Sequence, residues 1–352
     1  MKLSLKLLLT ASAVSLLMSG CAQKVQIKAL NPAEVGEMAT KKKIAISGFK
    51  NDRHGLSGKI ESEIAKHKLD HKRYFTVVSR KDLNKIVAEQ KLQSSELMDE
   101  VTATRVGKLI GAQAIINGEI ASATATSDKY RESREKCLKW SKEGCVRYKH
   151  YKVTCKTIQA EVSANVNIVN VETGSIIYGD TISKEYSADS CKSGSSVLGF
   201  MGAGSSSNKI LSKGQALNRL TSAIASEFVY KLTPHYIHFN VELIDSIELD
   251  GITDRQEQTF ENALAYIKAG RMNKSAKLLQ GLLDEVNGKS YVIAYAYGVV
   301  NEAQGKFDEA KKLYEMADDL TIEPVDEINS AMSRIDGLID KREEAKQQMN
   351  AK

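Results

Sequence analysis

Residues 43–120 alternate between short apolar runs and helical segments, and this alternation limits the folds open to the chain more than any other feature. The apolar runs are residues 44–49, 74–79 and 111–120. Strands that alternate with helices are typical of an α/β domain whose helices cover a largely buried sheet. The sequence therefore predicts a three-layer α/β domain over this region.

The segments between these runs carry helix signals. Apolar residues recur at every fourth position in the first segment, at Leu56, Ile60 and Ile64. Ser79 and Asp82 form a start signal for a second helix. A third helix is predicted over residues 99–110, and Gly111 can end it in a left-handed conformation.

Residues 160–168 alternate strictly between apolar and polar side chains. The apolar positions are Ala160, Val162, Ala164, Val166 and Ile168. Such alternation predicts a strand with one buried face. Gly174 suits a turn before a further strand over residues 175–183, and a helix is predicted over residues 214–232.

The first residues of the chain have the features of an export signal. Lys2 and Lys6 precede an apolar core over residues 7–18, which is too short to span a membrane. The segment Leu17-Met18-Ser19-Gly20-Cys21 then resembles the lipobox of bacterial lipoproteins, in which the cysteine is lipidated. The alternative is an ordinary signal peptide with a chance cysteine.

The lipobox resemblance implies a location and a cofactor. Residues 1–20 would be the signal peptide, Cys21 would carry the lipid, and residues 21–42 would be a lipidated tether. Ala22 follows the cysteine, which the rule for this class of protein associates with the outer membrane. We therefore expect an outer-membrane protein that is anchored by lipid and faces the periplasm.

Two excursions, residues 124–156 and 183–214, interrupt the predicted sheet. Residues 128–156 contain ten Lys/Arg and four Asp/Glu, a local balance of +6, against +6 for the whole chain. Basic residues interleaved with aromatic ones can bind nucleic acid or anionic lipid. For an exported loop we expect no nucleic acid, but a solvated hairpin that faces a phosphate-rich membrane or an acidic partner.

Four cysteines follow the lipobox, and all lie in the two excursions. They are Cys137, Cys145, Cys155 and Cys191. An even number of cysteines in an exported chain predicts two disulfides, with three possible pairings. A zinc site is disfavoured because the spacings include no C-x-x-C element. We therefore predict disulfides and no metal site.

The chain becomes helical after a linker, residues 233–253, that could hold one more strand. Ala276 and Ala310 are 34 residues apart, which resembles the tetratricopeptide period and predicts an all-α repeat domain over residues 254–352. A plain helical bundle is the alternative. Such repeats bind proteins or peptides, and the candidate partner-binding residues are Tyr266, Tyr295, Tyr297, Asn301 and Tyr314.

Several structural segments of residues 43–232 share their order and pattern with one known family. They are Lys43-Ile44-Ala45-Ile46, Val78-Ser79-Arg80-Lys81-Asp82-Leu83, Ile86-Val87-Ala88-Glu89-Gln90, Gly107-Lys108-Leu109-Ile110-Gly111-Ala112, Asn117-Gly118-Glu119-Ile120 and Val171-Glu172-Thr173-Gly174-Ser175-Ile176-Ile177. With the lipobox before them, they resemble the curli secretion channel (CsgG) and holdfast-attachment lipoprotein family. The resemblance implies the α/β fold, the lipid anchor and a homo-oligomer.

The channel members of that family use the two excursions to cross the outer membrane. Here charged residues occupy both alternating sets of positions in residues 129–152. A charge that faces lipid near the membrane midplane costs about 2–4 kcal/mol. We therefore do not extend the pore to this chain.

No catalytic motif is found in the sequence. It contains no nucleophile elbow, no His-Glu-x-x-His and no phosphate-binding loop. We expect a non-catalytic component of secretion or surface assembly, with an unknown periplasmic or secreted protein partner and no cofactor beyond the lipid. The alternative is a periplasmic adaptor or activator of an envelope enzyme that forms neither ring nor channel.

Overall fold

The computed structural model of the chain describes residues 23–90, 92, 99–192 and 210–351, with the backbone alone at 80–82. Contacts divide the chain into two units. The α/β unit contains Pro32–His235 and residues 347–351, and the helical unit contains residues 23–31 and Tyr236–Lys346. Within the described ranges, no helix has the length and apolar character needed to cross a membrane.

The predicted fold class is confirmed, because a mixed sheet flanked by helices precedes an all-α region. In chain order the elements are β1 (Lys24–Asn31), β2 (Lys43–Ile46), α1 (Leu56–Lys66), β3 (Lys68–Leu69), β4 (Lys72–Arg73), β5 (Thr76–Val77), α2 (Arg80–Glu89), α3 (Glu100–Ile110), β6 (Ala114–Thr126), β7 (Lys129–Ser141), β8 (Gly144–Asn170), β9 (Ile176–Asp189), α4 (Lys213–Leu232), β10 (His235–Glu242), α5 (Asp254–Lys268), α6 (Met272–Glu285), α7 (Tyr291–Ala303), α8 (Phe307–Asp319) and α9 (Asp326–Asn350).

The sheet of the α/β unit has the strand order β5-β2-β6-β8-β7, and β9 also pairs with β8. Strand β2 is parallel to β5 and β6, whereas β8 is antiparallel to each of its partners. The 27 residues of β8 pair first with β7 and then with both β6 and β9. Strand β8 therefore joins the central sheet to a long hairpin.

One face of β8 is buried, as its strict alternation predicts. The side chains of Val162, Ala164, Val166 and Ile168 are fully buried. Helix α4 packs on β6, β8 and β9, and its buried side chains include Leu220, Ile224 and Phe228. Since successive side chains of a strand point to opposite faces, this helix covers the apolar face.

Helix α3 covers the opposite face near the carboxyl end of β8. Its Ala103 belongs to a buried cluster with Ala45, Ile115 and Val169. Val169 is an odd-numbered residue of β8, so its side chain points to the face opposite that of Val166 and Ile168. Gly111 ends the helix in a left-handed conformation, as predicted, and at its start Asp99 accepts a hydrogen bond of 2.9 Å from the backbone N–H of Thr102. The α/β unit therefore has helix, sheet and helix layers.

The segment predicted as a tether is structured over its described residues, which corrects that prediction. Residues 24–31 form β1, which pairs with β10, and residues 36–40 form a short 3-10 helix. Val25, Ile27 and Ala29 are buried. Polar residues alternate with these three, so the segment has the period of a strand despite its polar composition.

The helical unit packs its helices in chain order, α5 on α6, α6 on α7 and α7 on α8. Its core includes Phe260, Leu279, Tyr295, Phe307 and Tyr314. Sequential packing of this kind agrees with a helical repeat. The extra strand suggested for the linker is β10, and the predicted last helix is α9.

A close approach between α7 and α8 requires glycine at position 298. A Cβ atom placed there would lie 2.5 Å from Cε1 of Tyr314. Tyr314 is fully buried, so its ring has no free space into which it could move. Gly298 therefore sets the distance between these two helices.

We expect Gly298→Ala to destabilise the helical unit by about 1–3 kcal/mol, because the added methyl group overpacks the core. The matched control is Gly281→Ala in α6, where a Cβ would meet no atom within 4 Å. Alanine should stabilise that helix by about 0.5–1 kcal/mol. Urea unfolding followed by circular dichroism measures both, and equal stability of the two variants would contradict the close approach.

Candidate interaction surface

A long hairpin of β7 and the first half of β8 extends from the sheet. The pairing runs from Lys129 opposite Lys156 to Ser141 opposite Gly144. The register shifts beyond Cys137 and again after Lys139, which gives the end of the hairpin an irregular shape. The first excursion is therefore an ordered antiparallel ribbon.

The base of the hairpin is linked to the end of β9 by a disulfide and by polar contacts. Cys155 is bonded to Cys191, with 5.4 Å between their Cα atoms. Tyr130 donates a hydrogen bond of 2.8 Å to Asp189, and Nη2 of Arg134 donates one of 2.9 Å to the carbonyl of Cys191. These contacts fix the direction in which the hairpin leaves the sheet.

A second disulfide lies near the turn and joins Cys137 to Cys145. The prediction of two disulfides is confirmed, and the structure selects one of the three pairings. Glu132 places a carboxylate oxygen within 4.8 Å of the Cys155 and Cys191 sulfurs. Those sulfurs are bonded to each other, so neither can act as a thiolate ligand.

The hairpin carries positive charge that its own acidic residues do not neutralise. Arg134 pairs with Glu132 at 3.0 Å and His150 with Glu135 at 3.1 Å. Within the described part of the chain, no ion pair is found for the other cations of the hairpin. They are Lys129, Arg131, Lys136, Lys139, Lys142, Arg147, Lys149, Lys152 and Lys156.

Exposed apolar side chains accompany these cations near the turn. They are Leu138 (49% exposed), Trp140 (74%), Val146 (59%) and Tyr148 (54%). Apolar side chains clustered on a surface mark a binding site more often than isolated ones do. The hairpin end therefore combines two properties of an interaction surface, apolar area and uncompensated charge.

The candidate partner-binding residues of the helical unit differ in their access to solvent. Tyr295, Asn301 and Tyr314 are buried, and so they stabilise the core in this conformation and do not form a binding surface. This corrects their assignment, because aromatic residues at helical spacing can face either a core or a groove. Tyr266 and Tyr297 keep part of their surface exposed, and for them partner binding stays a prediction.

A buried ion pair was missed by reasoning from the sequence. Glu302 is fully buried on α7 and accepts hydrogen bonds of 2.9 and 2.8 Å from Nε and Nη2 of Arg334, while Tyr314 also donates to it. Burial lowers the pKa of Arg334, but the hydrogen bonds and charge of Glu302 outweigh it and raise this pKa overall. The sequence contained one signal for this ion pair: Glu302 directly follows a series of mostly apolar residues in α7, where a charged side chain needs a partner if it is buried.

A pocket of about 370 Å³ lies beside this pair within the helical unit, and Arg334, Tyr295, Glu242, Asp326 and Glu327 are among its lining residues. The hydroxyl of Tyr295 donates a hydrogen bond of 2.7 Å to the carbonyl of Glu242. The polar groups of Glu302, Arg334 and Tyr295 are therefore engaged within the unit itself.

Some predicted features lie outside the described residues. They are the signal peptide, the lipidation residue Cys21, and residues 193–209 of the second excursion. The described part of that excursion begins with β9, which continues to Asp189.

We expect the two disulfides to differ in their contribution to stability. They close loops of 36 and 8 residues, which corresponds to about 4 and about 2.5 kcal/mol in the chain-entropy model. Cys155→Ala with Cys191→Ala should thus cost more than Cys137→Ala with Cys145→Ala. Guanidinium unfolding measures the difference. A larger loss for the second pair, or four reactive thiols in the exported protein, would contradict this expectation.

Comparison with known protein families gives a match over the α/β region. The sequence model of the family described as "Curli production assembly/transport component CsgG" matches residues 37–242. No curated protein sequence matches the chain. Among solved structures, the LpoB C-terminal domain from Salmonella enterica is similar at 14% identity over 42% of this chain and 90% of that chain, with a TM-score of 0.26.

Two further solved structures are also similar. The lipoprotein GNA1162 from Neisseria meningitidis has 12% identity over 53% of this chain and 97% of that chain, with a TM-score of 0.29. The hypothetical protein CT253 from Chlamydia trachomatis has 11% identity over 54% and 94%, with a TM-score of 0.27. Because the family model covers more than half of the chain, from β2 to β10, this protein belongs to the CsgG family.

Proposed function

We propose that this protein is a non-catalytic component for the secretion or assembly of a cell-surface structure, anchored in the outer membrane by a lipid on Cys21. The observation that carries the proposal is the match of residues 37–242 to a family described as a curli production assembly/transport component. The matched region is the sheet together with its hairpin. In this role the matched region is a scaffold that associates with further copies of itself.

The helical unit adds a surface for a protein partner. Helical repeats present extended surfaces to peptides and proteins. Tyr266 and Tyr297 are the partly exposed candidates in this unit, and the centre of the Tyr266 ring lies 5.0 Å from the guanidinium carbon of Arg271. We propose that the scaffold forms the oligomer and that this unit recruits a periplasmic or secreted protein.

A second candidate function is an adaptor for an envelope enzyme, and the charge of the hairpin favours it over a channel. Lys136 and Lys149 lie opposite each other, as do Lys139 and Arg147 beyond a register shift. A cation near the membrane midplane costs about 2–4 kcal/mol. Both candidates therefore keep the hairpin outside the hydrocarbon layer, and they differ in whether the protein oligomerises.

We expect Cys21→Ala to leave an unlipidated protein that no longer remains with the membranes. Fractionation with a high-salt wash measures this, because salt weakens contacts made by charge alone. The matched control is Ser19→Ala, which changes a neighbouring small residue to another small one and keeps the cysteine. Retention of the Cys21→Ala variant after the wash would contradict the lipid anchor.

Oligomeric state distinguishes the two candidate functions. We expect the lipidated protein, extracted in mild detergent, to form a ring or other closed oligomer in light scattering and electron microscopy, because a cyclic assembly satisfies identical surfaces on every subunit. Tyr266→Ala, a change on the helical unit, should leave that assembly intact. Monomers over a wide concentration range would contradict the assembly role and leave the adaptor.

A further inference from the structure

The end of the hairpin concentrates exposed apolar surface that the described residues do not cover. Leu138 and Trp140 precede the turn, and Val146 and Tyr148 follow it, each about half exposed or more. The disulfide between Cys137 and Cys145 joins the two strands at this level. The exposed apolar side chains are thus held together by a covalent link.

Several cations of the hairpin lie opposite other cations, and their repulsion destabilises the hairpin in the isolated protein. Strand pairing places Lys136 opposite Lys149, Lys139 opposite Arg147, and Lys129 opposite Lys156. Like charges that lie directly opposite each other across two strands are destabilising. No ion pair to any of these six is found among the described residues. An anionic surface would remove the repulsion, so this arrangement favours an anionic partner.

The apolar side chains decide which anionic partner fits best. Nucleic acid could use the cations and stack its bases on Trp140, but it gives no role to the exposed aliphatic side chains Leu138 and Val146. Tryptophan and tyrosine favour the interface between lipid and water, and cations near a membrane surface bind anionic headgroups. Between residues 136 and 149 the chain has five Lys/Arg and one acidic residue, Glu143. This combination fits a phospholipid surface.

The dimensions of the hairpin agree with a shallow contact. A strand rises about 3.4 Å per residue, so Lys136 lies about 14 Å behind Trp140 along β7. Interfacial segments bury their apolar side about 5–10 Å into the boundary between headgroups and acyl chains. With Trp140 at that depth, Lys136 lies close to the level of the phosphates.

We propose that the hairpin end, residues 136–149, docks on a membrane surface rich in anionic phospholipid. Trp140 and Leu138 enter the interface, and the Lys and Arg side chains on both strands contact the phosphate groups. The contact is independent of the lipid on Cys21 and of the assembly role. It is a second attachment to a membrane and not a passage through it.

The experiment uses the chain from Ala22 onward, so that neither an acyl chain nor the apolar segment over residues 7–18 can cause the binding. Trp140 is the single tryptophan of the chain, and its fluorescence therefore reports on the hairpin end alone. With vesicles of phosphatidylglycerol and phosphatidylethanolamine we expect a blue shift, quenching by brominated acyl chains, and co-sedimentation that weakens as salt rises. Vesicles of phosphatidylcholine should cause neither shift nor sedimentation.

Charge variants test which surface is responsible. Lys136→Gln with Lys149→Gln should weaken binding about 25-fold, since each cation near an anionic membrane contributes about a fivefold factor. The matched control is Lys268→Gln with Lys277→Gln on the helical unit, where both side chains are exposed. This control removes the same charge and should bind as the parent does. A thiol assay on all variants confirms that the hairpin disulfides are intact.

Three results would overturn the proposal. The first is unchanged Trp140 emission in the presence of anionic vesicles. The second is an equal loss of binding in the hairpin and control variants, which would indicate an effect of net charge only. The third is binding to polyglutamate or nucleic acid without binding to vesicles, which would assign the surface to an acidic macromolecule.

Discussion

Backbone pairing along β8 is the constraint on which the α/β unit depends. The strand has β6 and β9 on its two sides over one half and β7 over the other. A shift of one residue would turn Val162 and Val166 towards solvent and their polar neighbours towards α4. The side chains that α4 covers therefore specify the register of the central sheet. Because β8 continues past this core, they also specify where the hairpin leaves it.

The hairpin is stabilised by different interactions from those of the central sheet. Beyond residue 156 of β8 towards the turn, burial no longer supports the pairing, and covalent and polar links replace it. Cys155 bonds to Cys191 at the base, Tyr130 and Asp189 share a hydrogen bond, and Cys137 bonds to Cys145 near the turn. A ribbon stabilised in this way can present both its faces to solvent. That freedom allows the opposed cations and exposed aromatic residues that a membrane surface would accommodate.

The helical unit depends on a buried charge as well as on apolar packing. Removing one partner from a buried ion pair costs more than removing an exposed one, because it leaves an unpaired charge. Glu302 on α7 and Arg334 on α9 thus join helices that are distant in sequence, and Tyr314 adds a third contact. The aromatic residues that suggested a binding groove are part of this arrangement. Of the predicted partner-binding residues, only the partly exposed Tyr266 and Tyr297 remain candidates.

The sequence by itself determined the local structure, because that information lies within a few residues. The alternation in residues 160–168, the helix that ends at Gly111 and the glycine turn at 174 were predicted, and the resemblance of residues 43–232 identified the family. Long-range pairing was decided only by the tertiary structure. The partners β1 and β10 are about 200 residues apart in sequence, and three disulfide pairings were compatible with four cysteines. The burial of Tyr295 and Tyr314 was decided in the same way, since helical spacing shows which residues share a face but not what that face contacts.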